Sequence, residues 1–405
     1  MSDTPERDTA DNDGTTGELP ANVVVHPAIA DIPADAWDRL ANPDPARFNP
    51  FVAHAFLKAL ETSGSTGKRT GWHPRHLTLV EGERITGVMP AYLKTNSQGE
   101  YVFDHAWADA YHRAGGRYYP KLQVAVPFTP VPGPRLMVEA GIEANAREMT
   151  LANAGTWFAR QTGASSMHIT FLDAGAWQRL GAAGFLQRIG QQFHFANDGY
   201  ASFEDFLATL ASRKRKALRR ERAAAVASGL TIRHVSGRDI TEADWDAFFA
   251  FYRDTGERKW GRPYLNRQFF SLLGEQMADR CLIIFAERGG RPVAGALNMI
   301  GGDCLYGRYW GCTEHHPFLH FELCYYQAID YATSHGLARV EAGAQGEHKL
   351  ARGYQPVATY SLHWIGDEGL RSAVARYLDH EREAITAINS DLASQGPFRR
   401  SGSDV

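Results

Sequence analysis

The sequence predicts an α/β (α+β) fold built from two similar units in tandem, each a mixed sheet flanked by helices. Three observations lead there. Of 405 residues, 44% are hydrophobic, 22% charged and 11% aromatic, an ordinary globular balance that excludes collagen-like, low-complexity and wholly disordered chains. Helix-like and strand-like stretches alternate along the chain. One plan, an apolar strand, a short polar turn and a second strand carrying a glycine, occurs twice, at 76–92 with Gly87 and at 281–297 with Gly295. Both read as β-hairpins by turn chemistry.

Taken in order, residues 1–20 hold six acids and one base, a local charge of −5 within a formal −3, so the rest of the chain is near neutral at +2. Residues 1–21 read as a disordered acidic tail and 391–405 as a second disordered tail. The first unit spans 22–200. Its second landmark, Gly184 followed by Phe185, matches Gly353 followed by Tyr354 in the other half, and the first unit carries about 39 more residues between landmarks. An aromatic, Gly- and Pro-rich insertion at 100–138 supplies them, too aromatic to be disordered. Its Trp107, Asp109, Tyr111 and Tyr119 mix flat and polar groups and are candidate substrate contacts.

The second unit spans 201–390 and opens on a basic amphipathic helix, 202–228. Residues 213–222 contain seven bases and one acid, and Phe203, Phe206, Leu207, Leu210 and Leu218 form its apolar stripe. Helices over 241–259 and 266–277 follow, then the hairpin, a strand over 303–312, a helix over 318–335 stopped by Gly336, a strand over 338–342, a glycine turn with a short helix to Arg352, and a strand over 357–364.

The N-terminus has neither the basic nor the apolar region of a signal peptide, and no run reaches the length of a membrane span, so a cytoplasmic protein is expected. Cys281, Cys304, Cys312 and Cys324 have no CxxC spacing; they read as reduced thiols packed like small apolar groups, and no metal site is expected. The near-neutral body gives no case for DNA. The stretch 63–70 has Thr62 and Arg69 where a P-loop needs Gly and Ser/Thr, and is a polar loop.

The hairpin, long strand, helix, strand order, with Val-Ala-Gly-Ala in the second hairpin, resembles the GNAT acyltransferase fold. The duplication, the Arg/Lys-rich helix between the halves, and the stretches Tyr306-Gly-Arg-Tyr-Trp-Gly-Cys312, His320-Phe-Glu-Leu-Cys-Tyr-Tyr-Gln-Ala-Ile-Asp-Tyr331 and Glu341-Ala-Gly-Ala-Gln-Gly-Glu-His-Lys-Leu-Ala-Arg-Gly-Tyr-Gln-Pro356 resemble the Fem-like tandem-GNAT N-acyltransferases of peptidoglycan biosynthesis/recognition type, over about 22–390. The resemblance implies acyl transfer to an amine, with acyl-CoA, acyl carrier protein or aminoacyl-tRNA as co-substrate and no bound cofactor. Its alternatives are a tRNA-dependent Fem-type ligase, an N-acyltransferase of lipid or sphingoid amines, and a non-catalytic binder of cell-wall precursors. The phosphate-cradling pattern of acetyl-CoA users, Arg/Gln-x-x-Gly-x-Gly/Ala, has no clean copy here.

Acyl transfer to an amine needs a base, because an amine of pKa about 10.4 is neutral in only about one molecule per thousand at pH 7. It also needs donors for the oxyanion and an acid for the leaving group. Glu322 or Glu341 is the candidate base, and Tyr309 the candidate acid. On the strand through Cys304–Cys312, strict alternation would set Tyr306, Arg308 and Trp310 on one face, with Arg308 and Trp310 as substrate contacts. The turn holding Gln345 and Gly346 exposes backbone N–H groups, and Lys349 and Arg352 share a helix face, so these four are the candidate phosphate holders for the donor. The basic helix is a second candidate for phosphate capture, from a donor or a tRNA acceptor stem.

Overall fold

The structure, a computed structural model, describes residues 22–260, 262–343 and 346–399. The first half contributes nine strands, β1 (Val23–His26), β2 (Trp72–Pro74), β3 (His76–Glu81), β4 (Arg84–Met89), β5 (Ala91–Lys94), β6 (Lys121–Val124), β7 (Met137–Val138), β8 (Ser166–Leu172) and β9 (Leu186–Ala196). The second contributes β10 (Thr231–Ser236), β11 (Cys281–Arg288), β12 (Arg291–Ile300), β13 (Cys304–Cys312), β14 (Arg339–Glu341) and β15 (Gln355–Ile365). They form a four-stranded sheet, β1-β3-β4-β7, and an eleven-stranded mixed sheet, β10-β11-β12-β13-β14-β9-β15-β8-β6-β5-β2.

The duplication is visible in the pairing. Antiparallel β1, β3 and β4 mirror antiparallel β10, β11 and β12, and the parallel pair β6 with β8 mirrors β13 with β14. Both predicted hairpins form. The second turns at Gly289 and Gly290, φ 57° and 79°, the left-handed pair a two-residue hairpin needs and glycine supplies without Cβ strain. Where β12 runs on as one strand, Pro90 separates β4 from β5. Proline has no N–H to continue a ladder, and the two pieces enter different sheets.

Four expectations need correction. The halves at 22–200 and 201–390 are not self-contained: the last strand of each lies in the other's territory, β9 between β14 and β15, and β15 between β9 and β8. The insertion at 100–138 is not loop throughout; it holds a helix, His105–Arg113, with β6 and β7. The basic helix over 202–228 is two helices, Phe203–Thr209 and Ser212–Val226, broken at Leu210, whose extended backbone pairs with Phe398. Residues 391–399 are ordered: a C-terminal helix, Glu368–Ser394, runs through 391–394, and Phe398 packs on Phe206, 6.5 Å between ring centroids. The acidic tail 1–21 and residues 400–405 lie outside the described residues.

The largest core joins the halves. Trp37, Phe51, Phe56 and Trp72 pack with Trp245, Phe248, Phe269 and Phe270; Phe56 meets Phe269 edge-on at 5.7 Å, and Phe51 meets Tyr306 at 5.2 Å. Helix Glu242–Trp260 presses its backbone onto β13. A Cβ on Gly311 would stand 2.1 Å from Phe251 O, so only glycine permits that approach. A second core, under helix Ser212–Val226, joins Phe195, Phe206, Leu218, Leu305 and Tyr326. Because β9 and the linking helices supply part of it, this core too belongs to both halves.

Candidate functional site

β13 and β14 pair in parallel only over Cys304–Tyr306 and Arg339–Glu341, then part. Opposite this point β13 bulges: Asn298 faces Gly307 and Leu297 faces Tyr309, so Arg308 is the extra residue. A bulge inserts one residue and flips everything after it to the other face. Strict alternation therefore fails: Tyr306 and Tyr309 pack on one core and Trp310 on the opposite one. Arg308 and Tyr309 both donate to Phe128 O, at 2.7 and 3.4 Å.

Two adjoining cavities open at the split. One, of about 110 Å³, is lined by Asn298, Gly307, Arg308, Cys324, Tyr325 and Ala342. The other, of about 340 Å³, runs along His315–Phe321, and the two share Trp310 and His320. A third cleft, of about 190 Å³, lies among Tyr101, Phe171, Arg188, Gln192, Ser361 and Glu381. Among the described residues, three non-glycine residues have positive φ, namely Phe128 (57°), Phe171 (59°) and Phe318 (64°). Each borders this region: Phe128 through its carbonyl, Phe171 in the cleft, and Phe318 at the rim of the large cavity. Such backbone costs about 1–3 kcal/mol per residue and concentrates at functional sites.

Glu341 ends β14 beside the split. It is buried, receives Arg339 Nε at 3.2 Å on Oε1, and its Oε2 has no hydrogen-bond partner. Burial pushes its carboxyl up to about 7, although Arg339 pulls the other way. Across the sheet, His194 of β9 is its register partner, 3.9 Å from Oε2. Burial, reinforced by Arg339 and Lys349, holds that imidazole down to about 3, hence neutral. His194 Nε2 also meets Gln192 Oε1 at 3.0 Å, and Gln192 donates to Pro130 O. The insertion, the exchanged strand and the split are thus one connected polar array. Tyr101 belongs to it as well: burial raises its phenol, with Tyr309 adding to the rise and Arg308 opposing it.

The structure brings Tyr309, Arg308 and Trp310 together around the 110 Å³ cavity, sets Glu341 beside Ala342 at the end of β14, and disperses the other predicted residues. Glu322 begins a π turn, Glu322–Tyr326, that interrupts the helical segment 319–334. Its carboxylate is engaged by Arg222 at 3.0 Å and by Gln327 at 2.6 Å, whereas Glu341 keeps an oxygen without a hydrogen-bond partner. Lys349 and Arg352 are turned to groups of the protein itself. Lys349 is buried and donates to Ala342 O (2.6 Å) and Gly343 O (2.9 Å), and its pKa is pulled down to about 8 by burial. Arg352 is buried on Glu221 at 2.8 Å and stacks over Phe321 at 3.5 Å. Both hold a turn of backbone, as buried cations must be paired or hydrogen-bonded. Gly346 caps the short helix Glu347–Arg352 with φ 114°, and Gln345 lies outside the described residues. In the insertion, Trp107 is buried against His363, with ring centroids 4.9 Å apart. Asp109 is exposed, burial raises the Tyr111 phenol with Asp367 adding to the rise, and Tyr119 bonds Ser97 at 2.8 Å. Trp107 and Tyr119 lie beside a buried charge cluster in which Lys121 lies between Glu100 (2.7 Å) and Asp104, whereas Asp109 and Tyr119 line a separate pocket of about 450 Å³.

The first half has the corresponding split, where β6 and β8 stop pairing after Val124 and Ile169. There it is filled. Buried Arg135 donates to Thr170 O at 3.0 Å and Val131 O at 2.7 Å, and Gly133 N to Phe171 O at 2.9 Å. His194 and Gln192 escaped the sequence reading; their only signal is their alternation with Phe193 and Phe195 on a strand. Their place beside Glu341 depends on the strand exchange.

The two sheets with parallel splits in each half make this a tandem GNAT-like fold. The chain belongs to the FemAB-like family, described as peptidoglycan biosynthesis/recognition, whose family model matches residues 28–400. Among solved structures it is similar to FemX, with 12% identity over 85% of this chain and 98% of that one at TM-score 0.53. It is also similar to the C-terminal domain of a putative lysylphosphatidylglycerol synthetase from Agrobacterium fabrum, with 9% identity over 85% and 96% at TM-score 0.51. At these identities the likeness is one of fold. No curated protein matches the sequence. Among the described residues no helix is long and apolar enough to cross a membrane.

Proposed function

We propose that this protein transfers an acyl or aminoacyl group from an activated ester or thioester to a primary amine, by direct attack at the split between β13 and β14. The observation that carries the reading is Glu341: a buried carboxyl raised to about 7, with an unpartnered oxygen, next in the chain to Ala342, which lines the 110 Å³ cavity. A base poised near the working pH removes the amine's proton efficiently. Glu341 takes that proton as the amine nitrogen bonds to the carbonyl carbon; the carbon–oxygen or carbon–sulfur bond then breaks, and the leaving group departs with a proton supplied by Tyr309. His194, held neutral 3.9 Å from Oε2, adds no competing charge beside Glu341. The inner edge of β13 past the bulge supplies backbone N–H groups for the oxyanion. Arg308 and Trp310 line the approach, and the family's description favours an amine on a cell-wall precursor as acceptor, with the reaction in the cytoplasm.

The test follows release of thiol from acyl thioesters in the presence of amine-bearing peptides. The wild-type rate should rise with pH and level off above about 7. Glu341→Gln should lose about 10²–10³-fold in kcat/KM and lose the pH dependence, while Glu322→Gln should not reproduce that loss of pH dependence. A Glu341→Gln enzyme with wild-type rate and profile would overturn the assignment.

A further inference from the structure

We infer that the acyl donor arrives tethered to an acidic carrier protein that docks on the outer face of helix Ser212–Val226. This rests on the transferase reading above. Arg213, Lys214, Lys216, Arg219 and Arg220 are exposed on this helix, and Arg213, Lys216 and Arg220, spaced by three and four, form one stripe. The helix's only acid, Glu221, is turned inward, accepting from Arg352 at 2.8 Å and from the Tyr326 hydroxyl. Arg222 is likewise turned inward onto Glu322. Among the described residues, of the five exposed bases only Arg219 meets an acid from a neighbouring element, Glu204, in an exposed ion pair worth little. The outer face therefore carries a positive stripe about 10 Å long, from Arg213 to Arg220, suited to rapid charge-steered docking. It has no interleaved aromatic residues on which bases could stack, which disfavours a single-stranded nucleic acid.

Position supports the same partner. Just past the helix, Ser228 Oγ meets His316 Nδ1 at 3.1 Å, and His316 lines the 340 Å³ cavity. From there the space narrows past Trp310 and His320 into the 110 Å³ cavity at the split. A path that begins past the C-terminal end of the basic helix and ends at the split, beside Ala342, suits a thin, flexible, thioester-ended arm. A free nucleotide thioester would instead need a cradle for its diphosphate, and Lys349 and Arg352, the groups predicted for it, are committed to Ala342, Gly343 and Glu221. A tethered donor needs no such cradle, because its carrier contributes the binding energy outside the cavity.

The full chain is tested with acyl carrier protein bearing a short acyl thioester on its phosphopantetheine arm, and with the same acyl group on N-acetylcysteamine. The carrier should bind, binding should weaken as salt rises, and Arg213→Glu/Lys216→Glu/Arg220→Glu should weaken it by about tenfold or more. Arg376→Glu, a charge change on the exposed C-terminal helix, should have no effect. The triple variant should use the N-acetylcysteamine thioester as well as the wild type does, which shows that it folds. Absence of carrier binding, binding indifferent to the triple variant, or retention of total tRNA lost in that variant would overturn the inference. If the N-acetylcysteamine thioester is consumed while the carrier fails to bind, the partner is wrong and the transferase reading stands. If the carrier docks as expected and neither thioester is consumed with any amine, the transferase reading alone falls.

Discussion

Glu341 is held in a state that costs the fold something. An ordinary glutamate releases its proton near 4.5, whereas burial keeps this one protonated up to about 7. Between those values the folded chain binds a proton that the unfolded chain has lost, so stability falls as pH rises, and above about 7 the full penalty stands. It amounts to at most about 3 kcal/mol. Glu341→Gln should therefore raise unfolding free energy at pH 8 and leave it nearly unchanged at pH 4, as measured by denaturant titration at the two pH values. Gain of stability with loss of activity is expected where a group is retained for chemistry. Glu341 and Glu322 were equal candidates by type and position in the sequence. Arg222, a hundred residues from Glu322, separates them by neutralising one, and His194 lies beside the other. Contacts of that range leave no local trace in the sequence.

At the scale of elements, the two splits show how one motif can be kept open or closed. In the second half, the bulge at Arg308 re-aims Tyr309, and Lys349 satisfies the carbonyls of Ala342 and Gly343. In the first, the segment around Arg135 fills the gap, and burial pulls the Arg135 guanidinium down to about 9. Arg135→Met would leave at least two buried carbonyls without donors, at about 1–3 kcal/mol each. A loss of about 2–6 kcal/mol in stability is expected, with kcat/KM for surviving folded protein unchanged, since the split proposed for the reaction lies in the other half. Thermal unfolding and thiol-release assays at one low temperature check both parts. The hairpins, the helix after β13 and the glycine turn were legible because each rests on local periodicity and turn chemistry. The bulge was not, because one inserted residue leaves the alternating pattern of 304–312 superficially intact. The inward direction of Lys349 and Arg352 was not legible either, since helical spacing gives a shared face without saying what that face meets.

For the whole molecule, the exchanged strands β9 and β15 make the halves mutually dependent. Residues 22–200 expressed alone would present β9 with neither neighbour, and residues 201–399 would lack the strand between β14 and β15. Each fragment should be insoluble or molten on its own, whereas the two co-expressed should associate and recover activity. Size-exclusion chromatography and the thiol-release assay decide it, and a first half that folds and remains monomeric would contradict the interdependence. The sequence by itself determined the class of fold, the duplication, both hairpins, the basic segment and a short set of candidate acids, because these follow from composition, periodicity and turn residues. The tertiary structure alone decided which glutamate is left with an unpartnered oxygen, which split is open, and that the site is assembled from both halves. Those depend on strand exchange and on ion pairs between residues far apart in the chain, where burial and partner rather than residue type set the chemistry.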